Sequence, residues 1–268
     1  MPTDSFTSAD SSTSSPGVHL RAATLDYAGA PVFDALDLIL PAGQTTCLLG
    51  PSGVGKTSLL RLVAGLLPGA DGKVVDDHGR GLDGQIAYLA QQDLLLPWLS
   101  ALDNVTLGSR LRGESAGPAV ADRARALLAQ VGLAEREHDR PAKLSGGMRQ
   151  RVALARTLME NRPIVLMDEP FSSLDAITRY ELQALAAECL TGRTVLLVTH
   201  DPLEALRLGH QVLIMAGAPA RLEAPLVPAG RPPRDPADAN LLALQAELLH
   251  RLAHARIDPG VDQGASVP

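Results

Sequence analysis

TTCLLGPSGVGKTSLLRLVAGLL, residues 45–67, is the stretch on which the fold class turns. TTCLLG reads as a compact apolar strand. SLLRLVAGLL reads as a helix, and the PGADG after it as the stop. Between them GPSGVGKT, 50–57, matches the phosphate-loop pattern in full, with Gly50, Gly55, Lys56 and Thr57 in place. Strand, Gly-rich loop, helix is the context such a loop needs. The glycines reach backbone shapes closed to other residues, so that successive N–H groups can point at one anion. Lys56 brings a mobile positive charge to the outer phosphates, and the Thr57 hydroxyl is a hard oxygen ligand suited to Mg²⁺. Charge-assisted hydrogen bonds of this kind contribute roughly 1.5–3 kcal/mol each.

Further along, PIVLMDEP (163–170) and RTVLLVTH (193–200) are short, apolar and β-branched, and each ends in polar residues. They read as buried parallel strands. ITRYELQALAAECL between them reads as the crossover helix of a right-handed unit. The class is therefore α/β, with ligands expected at the carboxyl ends of the strands. Those ends carry Asp168, Glu169 and His200. Asp168 suits a Mg²⁺ ligand, and Glu169 a base that orients or deprotonates water. Taken alone, the pair is equally an acidic turn in solvent, and a lone His at a strand end is usually structural.

The flanks fill in the organisation. VHLRAATLDYA and PVFDALDLILPAG read as two strands joined by a Gly-Ala-Pro turn, and GQIAYLAQQ as another strand. From about 94 to 160 the pattern turns helical, with PAVADRARALLAQVGL stopped at Gly132 and RQRVALARTLMEN as a second helix. DPLEALRLG, QVLIMAG and NLLALQAELLHRLAHAR read as helix, strand and closing helix. The Ser/Thr-rich start, 1–17, and the end, 258–268, are expected to be disordered. Gln91 follows a strand, and its oxygen can reach Mg²⁺ or an attacking water. Leu94, Leu95, Leu96, Trp98 and Leu99 around Pro97 are either core or a docking patch. Tyr27 is either a strand residue or a platform for a purine.

A net charge of -6 argues against a nucleic-acid partner. Two cysteines, Cys47 and Cys189, are too few for a disulfide framework or a four-cysteine zinc site. With aromatics at 3%, Leu, Ala and Val must build the core. No segment approaches the roughly 20 apolar residues needed to span a bilayer.

LSGGMRQR, 144–151, puts a Ser and two Gly at a helix start, where unpaired N–H groups and the helix dipole attract anions. The order GPSGVGKT, Gln91, LSGGMRQR, IVLMDEP, SSLD (172–175), His200 resembles the ATP-binding subunit of an ABC transporter over about residues 19–216. The LSGGMRQR signature separates it from GTPases, nucleotide kinases and helicases. The resemblance implies a P-loop NTPase core with a mixed, mainly parallel sheet, an N-terminal antiparallel β subdomain and an inserted helical lobe, in one domain over 18–257. It implies ATP and Mg²⁺ as cofactors. Tyr27 would stack on the base, and Gly50, Pro51, Ser52, Gly53, Val54, Gly55, Lys56, Thr57 and Ser58 would hold the phosphates. Thr57, Gln91 and Asp168 would face Mg²⁺, with Glu169, His200 and Gln91 catalytic. Asp175 would lie at a dimer interface. Ser145, Gly146, Gly147 and Gln150 would close over the ATP of a second copy.

LLLPWLSALDNV, 94–105, resembles importer subunits for nitrate, sulfonate, taurine and thiamine pyrimidine precursors. In these a groove beside Gln91–Leu99 receives a short helix of the transmembrane permease. A periplasmic or extracellular solute-binding protein acts indirectly. The subunit would then sit peripherally on the cytoplasmic face of the inner membrane. Ala90, where these relatives have a bulky aromatic, and Gln92 place YLAQQD nearest to the hydroxymethylpyrimidine group. Two competing readings are a non-transport ATPase of the same family and an exporter subunit. The first usually carries fused cassettes, zinc modules or coiled coils, none visible here. Against the second stands the LLLPWL groove.

Overall fold

The computed structural model describes residues 15–27, 29–114 and 117–257. It opens with β1 (Val18–Tyr27), β2 (Ala30–Leu40), β3 (Thr45–Leu49) and α1 (Lys56–Val63). β4 (Asp71–Asp76) and β5 (Ile86–Leu89) follow. The helical insertion comprises α2 (Ala101–Val105), α3 (Leu107–Leu111), α4 (Pro118–Gln130) and α5 (Gly146–Met159). Next come β6 (Ile164–Asp168), α6 (Ala176–Cys189), β7 (Thr194–Val198) and α7 (Pro202–Leu208). β8 (Gln211–Ala216), β9 (Arg221–Leu222) and α8 (Ala239–Ile257) close the described chain.

β5, β6, β7, β3 and β8 pair in parallel in that order, and β9 adds antiparallel at the edge. A separate antiparallel sheet runs β2-β1-β4. This is the expected α/β architecture with its antiparallel subdomain and helical insertion. Both faces of the parallel sheet are covered, which is why β6 and β7 are continuous apolar runs. Alternate residues feed two cores. Cys47, Leu49, Met167 and Leu197 face α5, α7 and α8, while Leu48, Leu166, Leu196 and Val198 face α1 and the antiparallel sheet. Each such Leu contributes about 1.5–3 kcal/mol by burial.

Several local expectations shift. The hairpin turn lies ahead of Ala30, not over Gly-Ala-Pro, because Pro31 pairs with Asp26 on the edge strand β2. An edge strand tolerates proline because its free side needs no N–H. β4 escapes the sequence reading because its first residues are polar and exposed. α5 starts at Gly146, at the helix start read from LSGGMRQR, and Ser145 Oγ caps it by accepting from Met148 N at 3.2 Å. Of the expected N-terminal tail, residues 1–14 lie outside the described residues. Residues 15–17, however, are fastened: Thr194 Oγ1 donates to Pro16 O at 2.7 Å and Gly17 N to Asp77 Oδ2 at 2.6 Å. The expected C-terminal tail, 258–268, also lies outside the described residues.

A buried polar network fixes α6 against α7, and so the loops these helices follow. Gln183 Nε2 donates to Glu204 Oε2 at 2.9 Å, and Arg207 Nη1 donates to Gln183 Oε1 at 2.6 Å and to Tyr180 O at 3.0 Å. The Arg207 guanidinium lies 3.9 Å over the Tyr180 ring. Burial pushes the Glu204 carboxyl up to about 7. An unfolded Glu titrates near 4.5. Between those values the folded chain holds more protons, so stability falls as pH rises from about 4.5 to about 7 and is level above. The full drop is about 3 kcal/mol. Glu204→Gln should flatten that slope and melt higher than the parent at pH 8. A melting series across pH checks it, and an unchanged slope would assign the titration elsewhere.

Candidate functional site

The cleft forms where β3, β5, β6 and β7 end. Between β3 and α1 the loop is pinched by its neighbours. A Cβ at Gly50 would lie 2.4 Å from Met215 O of β8, and one at Gly55 (φ 108°) 2.8 Å from Val32 of β2. Only glycine fits either place, so the two sheets impose the loop's shape. Lys56 Nζ donates to Gly50 O and Pro51 O, both at 2.8 Å, which folds the side chain back over the loop. Burial pulls the Lys56 pKa down, against the opposing fields of Glu169 and Asp168. Ser52 and Gly53 are exposed, and Pro51, Val54, Thr57 and Ser58 half-buried. Ser52, Gly53, Lys56, Thr57 and Ser58 line a cleft of about 290 Å³, faced by Gln91 and Glu169.

Asp168 is buried, and Thr57 Oγ1 donates to its Oδ2 at 2.9 Å. Burial raises the Asp168 pKa, opposed by that hydrogen bond. The next residue, Glu169, has φ 48°, sparsely populated for a non-glycine and characteristic of functional sites. Its N–H donates to Val198 O at 2.9 Å and its own carbonyl accepts from Ser172, which holds the turn. The Glu169 carboxylate is met from both sides: Gln91 Nε2 at 3.5 Å and His200 Nδ1 at 3.3 Å, both on Oε2. The sheet thus brings the four residues Thr57, Gln91, Asp168 and Glu169 to one side of the loop, with His200 beside them. As a donor set for Mg²⁺, a hydroxyl, an amide oxygen and carboxylates fit. The described residues offer no cluster of three or more His, Cys, Asp or Glu that would cage a metal without phosphate. Mg²⁺ accepts such partial sets because it keeps waters and shares phosphate oxygens.

Tyr27 ends β1 with its ring exposed, on the hairpin whose second strand brings Val32 and Phe33 to Gly55. Ser145 and Gly146 are exposed at the start of α5, and neither they nor Gly147 line the cleft. Asp175 caps α6, its Oδ1 accepting from Thr178 N at 3.0 Å. Gln150 lies apart from the exposed Ser145 end. It is 4% exposed and its Nε2 donates to Pro170 O at 3.2 Å, so its amide is engaged inside its own chain. The LLLPWL run divides: Leu95 enters the core, whereas Leu94 and Trp98 are 59% and 64% exposed.

The sequence reading missed Asp93, Arg149 and Arg156. Arg149 Nε donates to Asp93 Oδ2 at 2.9 Å, and Arg156 donates to Asp93 O at 2.7 Å and Leu94 O at 2.9 Å. The available signal was two arginines a pair of turns apart on one face of an otherwise core-forming helix.

A family profile described as ABC transporter matches residues 33–172. A Haemophilus influenzae protein named an uncharacterized ABC transporter ATP-binding protein is 43% identical over 240 residues, covering 88% of this chain and 98% of that protein. An aliphatic sulfonates import ATP-binding protein, SsuB 1 of Rhodococcus jostii, is 45% identical, covering 85% of this chain and 90% of its own. Among solved structures, the dimeric post-hydrolysis state of the ATP-binding cassette MJ0796 with ADP and Pi superposes with TM-score 0.70 at 29% identity. That match covers 80% of this chain and 99% of the cassette.

Proposed function

This chain belongs to the ABC transporter ATP-binding family and is an ATPase; from that premise we propose that it powers import of a small solute through a transmembrane permease. Two copies sandwich two ATP molecules, each held by the loop of one copy and the Ser145 end of the other. The observation that carries this is the separation of the two anion grips: the Ser145–Gly147 end is on the surface, outside the cleft lined by the phosphate loop. The dimeric ATP-binding cassettes similar to this chain support the same assembly.

Within one half-site, Lys56 and the loop amides hold the phosphates of ATP. Thr57 and Asp168, with Gln91, would hold Mg²⁺, which would supply positive charge to offset that of the phosphates. Glu169 orients the attacking water and takes its proton as it attacks the γ-phosphorus. ADP leaves with the electron pair of the broken P–O bond. His200 and Gln91 hold the Glu169 carboxylate in place. Tyr27 stacks on the base, and Asp175 lies at the interface between copies. One domain, 18–257, carries all of this, with the lobe from about 94 to 160 as its inserted part.

The permease docks over Gln91–Leu99, with Trp98 and Leu94 as exposed apolar anchors. No described helix is long and apolar enough to cross a membrane. The permease supplies attachment at the cytoplasmic face. A solute-binding protein delivers the cargo to the permease. The solute class favoured is an aliphatic sulfonate, supported by relatives carrying that name from Rhodococcus, Paraburkholderia and Streptomyces. A hydroxymethylpyrimidine is the second reading, favoured by Ala90 and Gln92 beside Gln91. Calorimetry on the cognate solute-binding protein separates them. Tight binding of an alkanesulfonate is expected. Tight binding of the pyrimidine, or of nitrate alone, would overturn the sulfonate reading.

A further inference from the structure

The segment carrying Gln91 is joined to α5 by two guanidiniums, and Arg149 is the one beside Ser145. Arg149 Nε donates to Asp93 Oδ2 at 2.9 Å, and Arg149 Nη1 donates to Leu144 O at 3.0 Å, directly ahead of Ser145. Asp93 is itself held by its loop, its Oδ1 accepting from Leu95 N at 3.2 Å. Two residues before it, Gln91 touches Glu169 at 3.5 Å. A continuous chain therefore runs from Glu169 through Gln91, Asp93 and Arg149 to the backbone at Ser145. Leu94 (φ 45°) bends the segment at its middle, and Arg156 docks the carbonyls of Asp93 and Leu94 independently. Losing the Asp93–Arg149 contact thus leaves the segment seated on α5 through Arg156, two turns further along, but cuts its tie to the first turn beside Ser145.

We infer that Arg149, bridging Asp93 and Leu144, is a positioning residue that couples the two nucleotide sites of a dimer. This rests on the reading that Ser145 grips the ATP of a second copy. On that reading, Gln91 and Glu169 report on the chain's own nucleotide while Ser145 serves the partner's. A rigid bridge between them transmits occupancy of one site to the other. The side chains of Arg149 and Asp93 are 38% and 28% exposed. An ion pair so exposed adds little to fold stability. Its value lies in holding two backbone segments in one register, which needs the fork of an arginine. A lysine reaches one partner at a time.

The experiment measures ATPase rate against ATP concentration for the parent, D93N, D93E, R149Q and R149K, with melting curves and nucleotide affinity of the isolated subunit for each. The parent should be cooperative, with a Hill coefficient approaching about 2. D93N, R149Q and R149K should melt like the parent and bind nucleotide equally well as monomers. Their Hill coefficient should fall to about 1 and their maximal rate about tenfold. D93E should keep both. The D93N/R149Q pair should lose no more than either single change. Retention of cooperativity by R149Q or R149K overturns the coupling role, as does additive loss in the pair. A parent that is non-cooperative and stays monomeric with ATP would instead sink the dimer reading on which the coupling rests.

Discussion

Glu169→Gln should bind ATP normally, lose hydrolysis by about 10²–10⁴-fold and accumulate as a closed dimer. Gln has the size of Glu, so the turn held by Ser172 and Val198 should persist. The amide oxygen at 169 can still accept from Gln91, whose Nε2 sits 3.5 Å from the present carboxylate. What disappears is the negative charge and the basic site for the proton of the attacking water. Positioning by the loop, Lys56 and Asp168 survives, and that positioning sustains nucleotide binding and closure. Gel filtration with ATP and Mg²⁺ reads the dimer, and phosphate release reads the turnover. Unchanged turnover would remove Glu169 from the role of base and leave charge stabilisation to carry the rate.

The second large effect falls on Ser145. Ser145→Arg removes the cap that accepts from Met148 N, at a cost of about 1 kcal/mol to α5. It also fills the surface over Gly146 with a long side chain. Because the Ser145 end lies outside the chain's own cleft, monomeric ATP binding should stay near that of the parent. Hydrolysis should fall by about 10²–10³-fold, the loss typical when donors to a developing charge are removed. Equilibrium nucleotide binding on the monomer and dimer formation in the Glu169→Gln background check this. Loss of binding by the monomer would mean that both grips serve one nucleotide within one chain, and the trans assembly would fail.

These two positions also separate what the sequence alone makes legible from what folding adds. A phosphate loop is written in local backbone chemistry, so GPSGVGKT between strand and helix declares itself. Asp168 and Glu169 stand out because two carboxylates after IVLM are costly to bury unless they face a cation or a reacting group. Gln91 and His200 are ordinary residues by themselves. They gain meaning only as parts of an ordered set, and the sheet then brings both onto the Glu169 carboxylate. Trp98 was open between core and surface because LLLPWL has no clean period. The fold sends Leu95 inward and leaves Leu94 and Trp98 out.

Gln150 shows the opposite case. Membership of the LSGGMRQR motif set it towards another copy, whereas its position on α5 puts it on the buried side, where Pro170 O takes its amide. The neighbouring Arg149, with no motif role in the sequence reading, lies on the side that meets Asp93. The sequence by itself determined the α/β class, the phosphate loop, the acidic strand end and the second anion-binding helix start. Each of these depends on residues adjacent in the chain, through backbone conformation or helix-end geometry. Only the tertiary structure decided which face of α5 is buried, which apolar residues around Trp98 stay in solvent, and that Glu204 keeps its proton to about 7. Those outcomes depend on what another element places opposite, across separations such as the 56 residues between Asp93 and Arg149. Packing and desolvation act through space, and the order of residues along the chain does not state them.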